Sequence, residues 1–237
     1  MYSKICVISQ WEWQQEELNM KEQTRQKQSA TIRYMVQIAM LMAIELAMKA
    51  VGLGSVPVGP LYMSFLTVPI AVGAILLGPA AGAILGAVFG AVSFKDAITG
   101  ASVMTSTLLQ VSVVHTFILC VVMRILMGFC VGWVFRAFNK LTRGNIVSYF
   151  AGALSAPLLN TIFFMGYICL AFYNTEYVQG LVSTHGVSNP LAFVVALVGV
   201  QGLIEAVVCC AVGGVIAKGV AISMGHKVRR NKEQTEE

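Results

Sequence analysis

Two charged residues lie deep inside the long apolar stretches of this chain, and their side chains are well suited to bind a polar molecule there. Arg124 stands near the middle of one apolar stretch and Glu205 near the middle of another. A charge near the centre of a bilayer costs from about 3 to more than 10 kcal/mol unless it is paired or reaches water. A buried arginine and a buried glutamate in one small chain therefore predict a polar cavity within a membrane.

Two amides extend this polar set over three consecutive predicted helices. Asn160 lies near the middle of the helix that follows Arg124, and Gln201 precedes Glu205 by one turn on the same helix face. A guanidinium group matches a carboxylate in a two-pronged geometry. We expect these four residues to bind a small polar substrate.

The same residues also allow a structural interpretation. Buried charges usually pair, and an ion pair between Arg124 and Glu205 would hold the helices together without any ligand. The two interpretations are compatible, because an arginine paired with glutamate could exchange that partner for a substrate carboxylate. Elsewhere, Glu45 and Lys49 are spaced i, i+4 and predict a local ion pair, while Asp96 is expected at the membrane interface or at the cavity mouth.

Composition supports a membrane protein and argues against several other classes. Hydrophobic residues make up 57% of the chain and charged residues 11%, whereas soluble domains carry about 25% charged residues. The net charge of +5 comes from basic residues at both ends and in one loop, which is the pattern of membrane orientation rather than of nucleic-acid binding. The sequence contains no HExxH, GxSxG or GxxxxGK[ST] motif, so we predict no enzyme activity, no ATPase site, no metal and no cofactor.

Six apolar stretches are candidates for transmembrane helices, which need about 20 residues at a rise of about 1.5 Å each. They cover residues 32–52, 62–78, 80–95, 114–138, 146–173 and 190–217. Basic residues precede the first helix, join the fourth to the fifth, and follow the sixth. With six spans, all three groups fall on one side, which predicts an all-α integral membrane protein with both termini in the cytoplasm.

The predicted spans divide the chain into three parts. Residues 1–30 are a polar cytoplasmic tail, residues 31–220 form the membrane domain, and residues 221–237 are a charged cytoplasmic tail. Met20 offers a second initiating methionine directly before the first helix, so residues 1–19 could be an upstream extension. The segments 53–61, 96–113 and 174–189 are expected on the opposite side, where such loops can fold over a site.

Two strips of small residues predict close packing between helices. In the third predicted helix the strip recurs every fourth residue and consists of Gly78, Gly82, Gly86 and Gly90. We expect it to pack tightly inside the chain. In the first helix the strip consists of Ala39, Ala43 and Ala47, and it would suit a contact within the chain or with another protein.

Several of these stretches together resemble the substrate-binding S components of energy-coupling factor (ECF) vitamin transporters. The resemblance covers roughly residues 31–220 and rests on the alanine strip and three segments. These are VPVGPLYMSFLTVPIAVGAILLGPAAGAILGAVFG at 56–90, MRILMGFCVGWVFRAFNKL at 123–141 and LLNTIFFMG at 158–166.

The resemblance implies a six-helix protein of the plasma membrane that captures a vitamin or related micronutrient from outside for ATP-driven uptake. It further implies that Ala39, Ala43 and Ala47 dock onto a transmembrane coupling protein, which is bound to two cytoplasmic ATPases. The chain would carry no ATPase site of its own, and it would release its substrate by rotating in the membrane.

The segments LLNTIFFMG and MRILMGF are most similar to the pantothenate-type branch. That similarity implies a substrate whose carboxylate pairs with Arg124 and whose hydroxyl and amide groups bind Asn160 and Gln201. Tyr62 and Phe164 are expected to line the site, and their aromatic rings leave folate, riboflavin and biotin-like ligands as alternatives. The alternative from another class is a structural or assembly membrane protein whose polar core is only an ion pair.

Overall fold

The structure is a computed structural model, and it describes residues 2–54, 56–58, 61–142, 145–184 and 189–233. The chain separates into two units, residues 1–40 and residues 41–237. The first unit is helical from Tyr2 onward, in the long helix α1 (Tyr2–Ala50). Most of the polar tail predicted from the sequence is therefore helical. The second unit contains the remaining elements and is described below.

A short β-hairpin follows α1 where the sequence predicts an irregular loop. Strands β1 (Val56–Val58) and β2 (Leu61–Met63) pair antiparallel, with Pro57 opposite Tyr62. The turn before the hairpin uses Gly52 at φ 90°, a conformation that glycine adopts without steric cost. The all-α prediction is thus correct for the membrane-length elements and wrong for this small outer ribbon.

The second predicted span is shorter than expected. Only α2 (Thr67–Leu77) is helical, and its 11 residues give a length of about 16 Å against a hydrocarbon core of about 30 Å. Gly78 ends the helix at φ 99°, and Pro79 begins α3 (Pro79–Thr99). The tight turn predicted at Gly78 and Pro79 is confirmed, because glycine permits the positive φ and proline suits a helix start.

The second half of the chain consists of long helices joined by short ones. The order is α4 (Val103–Val111), α5 (Val113–Phe117), a π-helical turn (Ile118–Val122), α6 (Met123–Leu141), α7 (Ile146–Ala171), α8 (Glu176–Thr184), α9 (Pro190–Val208), a second π-helical turn (Cys209–Gly213) and α10 (Gly214–Glu233). Helices α5 and α6 continue through the first π-turn, and α9 and α10 through the second. Such turns often occur beside functional sites.

Within the described part of the chain, five helices are long and apolar enough to cross a membrane. They cover Glu17–Ala50, Pro79–Thr99, Val113–Leu141, Ile146–Ala171 and Gln201–Ser223. Large apolar side chains on these helices remain exposed, such as Leu170 and Leu203, as expected for surfaces that face lipid. The described structure thus has five membrane-length helices and one short apolar helix, Thr67–Leu77, where the sequence predicts six candidate spans.

The glycine strip of α3 packs directly against the backbone of α6. A Cβ atom added at Gly82, Gly86 or Gly90 would collide with backbone atoms of Gly128, Arg124 or Cys120, respectively. Only hydrogen side chains allow two helix backbones to approach so closely. The predicted internal packing of the strip is confirmed, and the contact with Gly86 places the Arg124 backbone directly against α3.

Short helices replace two of the predicted outer loops. Helix α4 lies within the segment predicted at 96–113, and α8 lies within the segment at 174–189. Both contribute to one apolar cluster that also includes side chains of α7 and α9, with members Met104, Leu108, Leu119, Met165, Ile168, Phe172, Val178, Val182 and Phe193. Burial of these side chains fixes the short helices against the long ones, so this part of the protein is a packed layer.

Candidate functional site

A polar cavity lies between α3, α4, α6, α7 and α9. The cavity has a volume of about 100 Å³. Its polar lining consists of Ser64, Ser93, Asp96, Ser102, Thr105, Arg124, Asn160, Thr161, Gln201 and Glu205, and its apolar lining includes Phe89, Met104, Phe164, Met165 and Val198. Small-molecule sites are usually concave pockets in which polar groups converge among apolar side chains, and this cavity has both kinds of lining.

Among the described residues that line this cavity, Arg124 is the only arginine or lysine, and it is 8% exposed. Its Nε and Nη1 atoms have no hydrogen-bond partner among the described residues. The guanidinium carbon lies 3.9 Å from the ring centroid of Phe89 and 4.9 Å from that of Phe164. Cation–π contacts of this kind offset part of the cost of burying the charge, but they leave the N–H donors available for an acceptor.

The ion pair expected under the structural interpretation does not form. Among the described residues no salt bridge joins Arg124 to Glu205, and a Glu205 oxygen instead accepts the backbone N–H of Ser64 at 2.6 Å. That hydrogen bond joins α9 to the segment between the β-hairpin and α2. Glu205 therefore fixes the segment between the β-hairpin and α2. It also interacts electrostatically with Arg124.

The charges of α1 also pair differently from the prediction. Lys49 forms a salt bridge with Asp96 near the end of α3. Glu45 is fully buried, and neither of its carboxylate oxygens has a hydrogen-bond partner within the described residues. It is the second carboxylate with an electrostatic influence on Arg124. Asp96 lines the cavity, as the cavity-mouth alternative predicts.

The neutral polar groups around Arg124 also have unused hydrogen-bonding capacity. Asn160 Oδ1, Gln201 Oε1 and Ser64 Oγ are buried and make no hydrogen bond to the part of the chain that the structure describes. Buried polar atoms of this kind cost free energy unless something satisfies them. Two acceptors and a hydroxyl thus line the same cavity as the arginine donors.

The structure brings five of the six predicted site residues together. Arg124, Asn160, Phe164, Gln201 and Glu205 all line the cavity, whereas the side chain of Tyr62 lies outside the described residues. The sequence prediction missed the α3 contribution, which includes Phe89, Val92 and Ser93. Their spacing with Asp96, at i, i+3, i+4 and i+7, places all four on one helix face and is a signal that could have found them.

The predicted docking strip lies on the exposed side of α1. Ala39, Ala43 and Ala47 are exposed, while Glu45 on the same helix is buried. One face of α1 thus exposes the small apolar residues of the alanine strip, and another buries the side chain of Glu45.

The match to a known family covers most of the chain. Residues 33–217 match the model of the ECF transporter substrate-specific component family. No curated protein matches the chain. The matched range includes every residue of the cavity and the alanine strip of α1. With its membrane-length helices, the chain is therefore a multi-pass protein of the plasma membrane, and it belongs to the substrate-specific component family of ECF transporters.

Proposed function

We propose that this chain captures a small carboxylate-bearing vitamin from outside the cell and that pantothenate is its substrate. The observation that carries the proposal is the buried Arg124, whose Nε and Nη1 atoms have no hydrogen-bond partner among the described residues. A carboxylate is an acceptor for both of these donors, and one guanidinium group can give it two parallel hydrogen bonds, from Nε and Nη2 or from Nη1 and Nη2. It would also neutralise a charge that is costly to bury alone.

The remaining groups of the cavity suit the rest of that molecule. Pantothenate carries an amide N–H and two hydroxyl groups in addition to its carboxylate. Asn160 Oδ1 and Gln201 Oε1 are acceptors for such donors, and Ser64 Oγ can donate or accept. Arg124 is the one arginine or lysine among the described lining residues, which favours a monoanion over a substrate with several negative charges.

Membership of the family gives the chain the role of a substrate-binding subunit in an ECF transporter. We propose that the exposed face with Ala39, Ala43 and Ala47 docks onto the transmembrane coupling protein, which is joined to two cytoplasmic ATPases. Small residues allow a partner helix to approach the backbone closely. We also propose that both termini lie in the cytoplasm, because basic residues flanking membrane helices favour the cytoplasmic side.

Thermal unfolding of the purified full chain with pantothenate, riboflavin, folate and biotin tests the substrate. A ligand at about 100 times its dissociation constant stabilises a protein by about 2.7 kcal/mol, which raises the midpoint by about 5–10 °C for a chain of this size. We expect this shift for pantothenate alone. A shift with another vitamin and none with pantothenate would refute the substrate, and no shift with any of them would refute the binding role within this panel.

A further inference from the structure

Two phenylalanines from different helices contact the guanidinium group of Arg124. Phe89 on α3 lies 3.9 Å from the guanidinium carbon, and Phe164 on α7 lies 4.9 Å from it, both measured to the ring centroid. Phe89 is 4% exposed and belongs to the buried cluster that includes Leu85 and Met127. A ring packed in this way cannot move far, so the contact restrains the charged end of Arg124.

The backbone of Arg124 is restrained as well. Its carbonyl group lies against Gly86, where an added Cβ atom would collide with it. Phe89 stands three residues later on the same helix and contacts the other end of the arginine side chain. Helix α3 thus holds Arg124 at both ends, and α7 adds Phe164. A guanidinium held in this way loses little conformational entropy when it binds a ligand.

The restraint limits the kind of group that can pair with the arginine. The Nε and Nη1 atoms have no hydrogen-bond partner in the described structure. The rings of Phe89 and Phe164 pack against the guanidinium carbon. A carboxylate is planar, and its two oxygens accept parallel hydrogen bonds from one guanidinium group. A tetrahedral sulfonate carries a third oxygen outside that plane, where nearby ring faces with their negative π charge disfavour it.

We propose that Phe89 and Phe164 determine specificity by positioning the Arg124 guanidinium for a planar carboxylate. This inference rests on the proposed function, because it concerns how the same cavity distinguishes one group of the substrate. Both rings also line the cavity, but the preference for carboxylate that we assign to them acts through the arginine, so in this role they are positioning residues.

Binding of three related probes to the purified full chain tests the inference. The probes are pantothenate, its sulfonate analogue pantoyltaurine, and its neutral alcohol analogue panthenol, each titrated calorimetrically. We expect the wild-type protein to prefer the carboxylate over the sulfonate by about tenfold or more. In Phe89→Leu and in Phe164→Leu, we expect the pantothenate affinity to fall about thirtyfold, which corresponds to about 2 kcal/mol, the value of a desolvated cation–π contact. The preference for carboxylate over sulfonate should fall to within about threefold, and the affinity for panthenol should stay within about threefold of wild type.

Two control variants distinguish a positioning role of the rings from a general loss of structure in the cavity. Phe164→Tyr keeps a ring beside the guanidinium and should keep the wild-type preference. Phe129→Leu removes an aromatic residue from the helix of Arg124 at an exposed position, where it contacts Trp133, and it should change none of the three affinities. A variant that loses affinity for all three probes equally would show a structural role and overturn the inference.

The outcomes also separate the inference from the proposed substrate. A wild-type protein that binds none of the three probes would refute pantothenate as the substrate and the inference with it. A wild-type protein that binds pantothenate, together with Leu variants that keep the full carboxylate preference, would overturn the inference alone.

Discussion

Replacement of Arg124 by leucine separates a binding role of the cavity from a structural one. The guanidinium Nε and Nη1 atoms have no protein partner within the described residues, so the leucine variant loses no intramolecular hydrogen bond at these two atoms. It does lose the guanidinium group as a whole, which can donate two hydrogen bonds to a substrate carboxylate. Hydrogen bonds to charged groups contribute about 1.5–3 kcal/mol each, and two of them contribute about 3–6 kcal/mol. The dissociation constant for pantothenate should therefore rise about a hundredfold to ten-thousandfold.

The variant has one foreseeable side effect. Glu45 and Glu205 are the two buried carboxylates that interact electrostatically with Arg124, and its removal leaves both without that cation. A second variant, Arg124→Leu with Glu45→Gln, replaces one of these two acidic side chains by a neutral amide. We expect it to restore any stability lost in the single variant and to leave pantothenate binding absent.

The assay is calorimetric titration of the folded full chain with pantothenate, with thermal unfolding measured in parallel. Arg136→Leu is the matched control, because Arg136 lies on the same helix, contacts Trp133 and does not line the cavity. It should bind pantothenate as the wild type does. If Arg124→Leu binds pantothenate with wild-type affinity, the assignment of the carboxylate to Arg124 is refuted. If neither Arg124 variant folds while Arg136→Leu does, the arginine is structural.

Three further predictions concern packing, the cavity mouth and docking. Gly86→Leu should lower the free energy of unfolding by about 2 kcal/mol or more, because the new side chain meets the Arg124 carbonyl. Gly166→Leu is the control and should lower it little, because an added Cβ at Gly166 meets nothing within 4 Å. Equal losses of unfolding free energy in the two variants would contradict the packing of α3 against α6. Asp96→Asn breaks the salt bridge to Lys49 and should speed pantothenate dissociation about threefold in stopped-flow measurements. An unchanged dissociation rate would show that this salt bridge does not control exit from the cavity. Ala43→Trp should abolish co-purification of the coupling subunits and leave pantothenate binding unchanged. Ala91→Trp, at an exposed position of α3, should leave both unchanged. If the Ala43→Trp variant still co-purifies with the coupling subunits, the alanine strip is not part of the interface.

Features set by local chemistry could be predicted from the sequence. Glycine every fourth residue in an apolar helix permits a close helix contact, and α3 makes it with α6. The turn at Gly78 and Pro79 follows from the conformations that these two residues favour. Arg124 and Glu205 line a cavity because a lone charge in an apolar span needs a polar environment.

Pairings between distant segments could not be predicted in this way. Spacing on α1 suggests a local bond between Glu45 and Lys49, but the tertiary arrangement places Asp96 beside Lys49. Similarly, Glu205 accepts the backbone N–H of Ser64, a partner 141 positions away that no periodicity indicates. Hydropathy also overestimates the second span, because an apolar run does not distinguish a short helix with a preceding strand from one long helix.

The central claim is that the cavity at Arg124 binds a small carboxylate-bearing vitamin, and mass spectrometry of small molecules released from the purified full chain tests it most directly. The wild-type protein and Arg124→Leu would be purified from the same growth medium containing pantothenate. We predict that pantothenate is released from the wild type in near-equal molar amount and is absent from the variant. Release of pantothenate in equal amounts from both proteins, or release of a molecule without a carboxylate from the wild type, would contradict the account.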